Sequence, residues 1–189
     1  MSRVIVIEFV SVDGVMQDPD GNEGFRQGGW AFRYGPEPVT GDPFGLGELL
    51  DTSTLLLGRG TWQLFSKIWP GRDDEFSAKM NAMPKLVASR SLALATEWQN
   101  SSVLDGDLVA TVRERKRACD IMVMGSTSVV RTLTTHDLVD EYRLLIFPVV
   151  LGAGERLFPD GTVPADLTLE SARTKGQAVR IIYTRARGQ

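Results

Sequence analysis

From Val4 to Val10 the chain is apolar and largely β-branched, interrupted only by Glu8, and predicts a buried strand. From Ser11 to Gly41 periodicity disappears. The segment is rich in Gly, Pro, Asp and Asn, with Phe25, Trp30, Phe32 and Tyr34 scattered through it. A loop this long in a compact domain usually has work of its own. Its aromatic residues either fold over something flat or anchor the loop to the core. Phe44, Leu46, Leu49 and Leu50 fall near helical spacing and predict a helix over Asp42–Asp51, with Asp42 as N-cap and Pro43 in the first turn.

Strand and helix then alternate. Thr52 to Leu57 predicts a strand, Thr61 to Ile68 a helix, Glu75 to Met80 a short helix and Pro84 to Ser89 a strand. Leu104 to Arg117 reads as a surface helix, Asp120 to Met124 as a strand and Thr127 to Thr134 as a helix with Val129, Val130 and Leu133 inward. After that only strands remain: Glu141–Val150, then Leu167–Thr174 and Ala178–Ala186 joined at Lys175-Gly176-Gln177 as a hairpin. The order predicts a three-layer α/β fold, with a mostly parallel central sheet, helices on both faces and an antiparallel C-terminal edge.

The chain has 189 residues, which suits one domain over 1–189, and no repeat or linker divides it. The net charge of −3 gives no electrostatic footprint for nucleic acid. No apolar run approaches the roughly 18 residues of a membrane span, and none resembles a signal peptide. The single cysteine, Cys119, excludes an intrachain disulfide. These features predict a cytoplasmic protein. The charge run Arg113–Arg117 reads as a solvated helix face. His136 stands in a polar turn without a second histidine or cysteine to build a zinc site, and no serine sits in a nucleophile elbow.

Three predicted strand ends share a feature: Leu57-Gly58-Arg59-Gly60-Thr61, Ala88-Ser89-Arg90 and Met124-Gly125-Ser126-Thr127-Ser128. Ligands of open α/β sheets bind outside the carboxyl ends of strands. Glycine permits close backbone approach, free N–H groups at a helix start attract anions, and hydroxyl and guanidinium groups add donors. Gly followed by Ser or Thr is also ordinary helix capping, so each segment has two readings. The chain has neither GxGxxG nor a Walker A loop.

Gly58-Arg59-Gly60-Thr61-Trp62 resembles the Gly-Arg-x-Thr-aromatic cofactor motif of dihydrofolate reductases. Ser89-Arg90 resembles that family's next motif. Ser11-Val12-Asp13-Gly14, Leu138–Glu141 and Pro148–Phe158 are similar to signatures of the reductase domain of bifunctional riboflavin-biosynthesis proteins. The resemblance implies an NADPH-dependent reductase acting on a pterin or a ribosylamino-pyrimidine. Gly58, Arg59 and Thr61 would hold the pyrophosphate, Ser89 and Arg90 the 2′-phosphate, and Gly125, Ser126 and Thr127 the pyrophosphate and nicotinamide side. The family usually has two adjacent glycines where this chain has Gly125-Ser126. It often dimerises, and the apolar C-terminal strands offer a surface for a homodimer.

Reduction of a C=N bond also needs a proton, and three carboxylates are candidates. Asp42 and Glu48 lie in the region where dihydrofolate reductases carry theirs, and Asp13 ends the first strand. Asp42 is equally readable as an N-cap and Asp13 as a turn residue. Arg26, Arg33 and Arg156 are candidate cations for a substrate phosphate. The sequence begins at its first strand, so no fused deaminase is expected, which speaks against housekeeping riboflavin synthesis. The competing reading is a catalytically silent NADP(H)-binding regulatory module of the same fold.

Overall fold

The computed structural model describes residues 2–186. Its strands are β1 (Val4–Ser11), β2 (Thr54–Gly58), β3 (Lys85–Ala88), β4 (Ser101–Val103), β5 (Ile121–Val123), β6 (Glu141–Phe147), β7 (Leu167–Lys175) and β8 (Ala178–Arg185). The helices are α1 (Leu49–Thr52), α2 (Arg59–Ile68), α3 (Glu75–Ala82), α4 (Leu108–Arg115) and α5 (Thr127–Thr135). One sheet in the order β4-β3-β2-β5-β1-β6-β8-β7 contains all the strands. β4 to β6 run parallel along that order, and β8 and β7 form the antiparallel edge.

Alternation along the strands builds two cores. Ile5, Ile7, Leu55, Leu57 and Met122 point to one face, with Trp30, Trp62, Met80 and Trp98. Val4, Val6, Leu56, Leu86, Ile121 and Val123 point to the other, where Val112 of α4 and Val129, Val130 and Leu133 of α5 cover them. Each such fully buried side chain contributes about 1.5–3 kcal/mol of transfer free energy. This is the expected three-layer architecture.

Four expectations are corrected. The helix over Asp42–Asp51 contracts to α1, because Gly45 (φ +67) and Gly47 (φ +52) take left-handed conformations that turn the chain instead. Asp42 therefore caps no helix; its Oδ2 accepts from the Gly47 N–H at 2.9 Å and closes that turn. The helix expected from Leu104 starts at Leu108, after left-handed Gly106, with the Asp107 carboxylate accepting from the Ala110 N–H. β6 stops at Phe147 because Pro148 has no N–H to donate. β4 carries no apolar run and was not foreseen; Trp62 Nε1 donates to Ser101 Oγ at 3.0 Å and draws it onto the sheet edge.

Lys85 is a fully buried cation below this edge. Its Nζ donates to the carbonyls of Asn81 (2.8 Å), Met83 (2.8 Å) and Gln99 (3.1 Å) and lies 4.4 Å from the Trp98 ring centre. Burial pushes its pKa down to about 8, yet all three ammonium protons have acceptors. The lysine joins the end of α3 to the start of β4.

Candidate active site

In the sheet order, β3, β2, β5 and β1 are consecutive and parallel, so their carboxyl ends share one edge. The turns after β2 and β5 touch. The Gly58 N–H donates to the Gly125 carbonyl at 3.1 Å. A Cβ on Gly58 would overlap Ser126 Oγ, and one on left-handed Gly125 would stand 2.7 Å from Thr61 Oγ1. The two glycines are what lets the turns close on each other. The Gly125–Ser126 peptide is cis. Arg59 Nη1 donates to Ser91 Oγ at 2.7 Å and ties in the turn after β3. The three turns singled out from the sequence thus form one cluster.

Both helices that open here lack a side-chain cap. Gly58 precedes α2 and Ser126 precedes α5 without a capping hydrogen bond. Their first N–H groups are unpaired donors at the positive end of each helix dipole. The Ser126 hydroxyl meets Ser128 Oγ at 3.0 Å instead. Ser89 Oγ accepts from the N–H groups of Ser91 (3.2 Å) and Leu92 (2.9 Å), which fixes its turn and leaves its own proton to donate outward. Arg90 is exposed and has no ion pair among the described residues.

A cavity of about 1140 Å³ runs from this cluster across the end of β1. That exceeds the roughly 300–1000 Å³ of most single-ligand pockets and has room for two molecules side by side. Thr61, Gly125, Ser126 and Thr127 line it, as do the apolar side chains of Phe44, Leu50, Phe65 and Trp69. The long loop divides its aromatics between two jobs. Trp30 is buried edge-on to Phe147 at 5.6 Å and Tyr34 Oη donates to the Pro148 carbonyl, both anchoring the loop, whereas Phe32 is 51% exposed and faces the cavity.

The carboxylate candidates separate cleanly. Asp42 lines the cavity, and its Oδ1 is buried without a partner among the described residues. Glu48 faces solvent outside the cavity. Asp13 also lies outside it. Its carboxylate accepts from Ser11 Oγ (2.7 Å) and from the N–H groups of Leu151 (3.1 Å) and Gly152 (2.8 Å). Although partial burial works to raise it, those donors hold its pKa down at about 2. It clamps the 148–158 segment to the end of β1, which is why the two motifs occur together. Of the candidate phosphate cations, Arg33 Nη2 donates to the carbonyls of Gln27 and Gly28, and Arg156 Nε to that of Asp13. Neither they nor Arg26 lines the cavity. Two other cations do. Lys79 is paired with Asp51 at 2.8 Å, while Arg72 stacks over Trp69 at 4.9 Å and has no ion pair among the described residues.

Sequence reasoning missed Glu8. It is 8% exposed, sits in mid-β1 and reaches the cavity. Oε1 accepts from the Gly125 N–H at 2.7 Å, and no cation pairs with it among the described residues. Burial pushes its pKa up to about 8; the Gly125 bond opposes this and the charge of Glu23 adds to it. The available signal was a lone carboxylate inside an otherwise apolar strand.

Comparison with known proteins gives the family and the fold. The family model of the RibD C-terminal domain matches residues 2–181. Two Bacillus subtilis (strain 168) proteins are similar: Uncharacterized protein YyaP, 31% identical over 69% of this chain and 72% of its own, and Uncharacterized protein YwjB, 26% identical over 97% and 98%. The fold matches the "Putative riboflavin biosynthesis protein" of Shewanella sp. PV-4 at TM-score 0.73, with 20% identity over 98% of this chain and 99% of that one. It also matches the diaminohydroxyphosphoribosylaminopyrimidine deaminase/5-amino-6-(5-phosphoribosylamino)uracil reductase of Thermotoga maritima at TM-score 0.57, with 14% identity over 98% of this chain and 57% of that one.

Proposed function

Because the chain belongs to the RibD C-terminal domain family, we propose that it is an NADPH-dependent reductase that passes a hydride to a small planar heterocycle of the pterin or ribosylamino-pyrimidine kind. The observation that carries the reading is the meeting of two uncapped helix starts with a cavity large enough for cofactor and substrate together.

The donor set suits a dinucleotide with an extra phosphate. The first N–H groups of α2 and α5, with the hydroxyls of Thr61, Ser126 and Thr127, would receive the pyrophosphate. Ser89 and Arg90 would receive the 2′-phosphate, with Arg59 held toward them by Ser91. Bound NADPH would supply the hydride. The protein's part is orientation and exclusion of water, because the chemistry resides in the cofactor. The apolar side chains of Phe44, Phe65 and Trp69 offer flat surface to a ring, and Asp42 Oδ1 offers an unused acceptor to ring N–H groups. An anionic substrate tail would meet Arg72, the cation in the cavity without an ion pair among the described residues.

Quenching of tryptophan fluorescence by NADPH measures binding, and loss of NADPH absorbance with dihydropterins and ribosylaminouracils measures turnover. Binding with turnover on either ring class is the expected result. Binding without turnover on any of them identifies a silent NADP(H)-binding module, and absence of binding removes the cofactor assignment.

A further inference from the structure

Resting on that reading, we propose that Glu8 is the proton source of the reduction, delivering from Oε2 the proton that accompanies the hydride. Three features of its position carry this. Glu8 lies on the β1 face that otherwise holds Val4, Val6 and Val10, so apolar side chains surround its stem. Oε1 is fixed by the Gly125 N–H, on the very turn where the cofactor site meets the cavity. Oε2 has no hydrogen-bond partner among the described residues and belongs to a side chain that lines the cavity. Asp42 has an unpartnered oxygen too, but it sits at the far turn, closed by the Gly47 N–H.

Among the described residues the charge that acts on Glu8 is that of Glu23 of the long loop, which is acted on in turn by Asp18, Asp20 and Glu155. The neighbouring residue on β6 is Leu144, and the start of α5 presents only Thr127 and Ser128. Desolvation and like charge therefore both favour the protonated acid at neutral pH, as a general acid requires.

The step balances. Bound NADPH would supply a hydride, with two electrons, to the carbon of the substrate's C=N bond, while Glu8 Oε2 gives its proton to the nitrogen of that bond. The C=N bond would become CH–NH, the cofactor would be left oxidised, and Glu8 would remain as a carboxylate held by the Gly125 N–H until water reprotonates it. Oxidised nicotinamide is a cation, and a nearby cation favours the carboxylate. Oxidation of the cofactor and release of the proton thus assist each other.

That coupling can be read without knowing the substrate. The dissociation constants of NADP⁺ and NADPH are measured from pH 6 to 9 on the wild type, Glu8→Gln and Glu23→Gln. In parallel, ¹³C-labelled glutamate carboxyls of the wild type are titrated by NMR, with Glu8→Gln identifying the resonance. In the wild type, the affinity for NADP⁺ relative to NADPH should rise on the order of tenfold as pH passes through Glu8's titration, one pKa unit being tenfold. Glu8→Gln should abolish the rise, and Glu23→Gln should move its midpoint to lower pH. The Glu8 resonance should titrate near 8 and move down when NADP⁺ binds. Titration in the ordinary carboxylate range overturns the proposal, as does a pH-independent affinity ratio in a protein that binds both forms. If neither form binds, the cofactor reading falls, and the proton role with it.

Discussion

Lys85 and Arg90 show how differently two cations act. The Lys85 ammonium satisfies three backbone carbonyls in a dry site, so removing it strands all three. Lys85→Met should destabilise the protein by about 3 kcal/mol or more, which lowers Tm by roughly 6–12 °C for a chain of this length. Thermal denaturation checks this, and an unchanged Tm would mean that water reaches those carbonyls. Arg90 makes no ion pair or side-chain hydrogen bond among the described residues. Arg90→Ala should leave Tm unchanged and raise the Kd for NADPH about ten- to a hundredfold, with little effect on NADH. Equal weakening of both cofactors would remove Arg90 from the 2′-phosphate role. Glu8 was overlooked in the sequence for a physical reason. The apolar run around it predicts burial, and a buried carboxylate has meaning only once its neighbours are known. The Gly125 N–H that fixes it comes from 117 residues further along the chain.

At the scale of elements, legibility followed the source of each element's stability. β1, β2 and β5 announce themselves because their own side chains bury them, whereas the β7–β8 hairpin, largely exposed along β7, is legible from its turn at Lys175-Gly176-Gln177. β4 is three residues of half-exposed polar character, held by Trp62 and by the register Lys85↔Ser101. The segment after Asp42 carries a helical apolar spacing, but left-handed Gly45 and Gly47 overrule it. The three phosphate-type turns were legible as motifs, and parallel strand order makes them converge. Their contact is also testable. A Cβ at Gly58 would overlap the Ser126 hydroxyl, so Gly58→Ala should force the turns apart at a cost of about 1–3 kcal/mol and weaken NADPH binding at both helix starts. Adding Ser126→Gly removes the obstructing side chain. Since Ser126 makes no capping bond, the double variant should recover much of the lost stability, while the affinity stays lowered by the loss of the Ser126 hydroxyl. Denaturant unfolding and NADPH titration of the single and double variants check this, and additive losses would show that the two turns do not share strain.

Across the whole molecule, the same buried acid couples cavity chemistry to folding. Glu8 titrates near 8 in the folded protein, against an ordinary value of 4.5. Between those values the folded chain holds a proton that the unfolded chain has released, so stability falls as pH rises through this window. The integrated loss is of the order of 4 kcal/mol, and the raised pKa of Glu23 acts in the same direction. Asp13 works oppositely at the acid end. Its folded pKa of about 2 lies below the ordinary 3.8, so the stability it contributes is present above that value and is lost as pH falls toward 2. Asp13 thus weakens the fold as the solution becomes acid, and Glu8 weakens it as pH rises toward 8. Glu8→Gln keeps an acceptor for the Gly125 N–H while removing the ionisation. Denaturant unfolding at pH 5 and pH 8 should therefore show the wild type losing several kcal/mol between the two and Glu8→Gln losing much less. A parallel decline in both proteins would place the titration on another group. A flat wild-type profile would mean that Glu8 ionises freely, which is costly with no cation paired to it among the described residues. For the proposed reductase, reduced stability at neutral pH would be the cost of keeping this acid protonated in the cavity, because a carboxyl group solvated enough to ionise easily would reach the reaction without its proton.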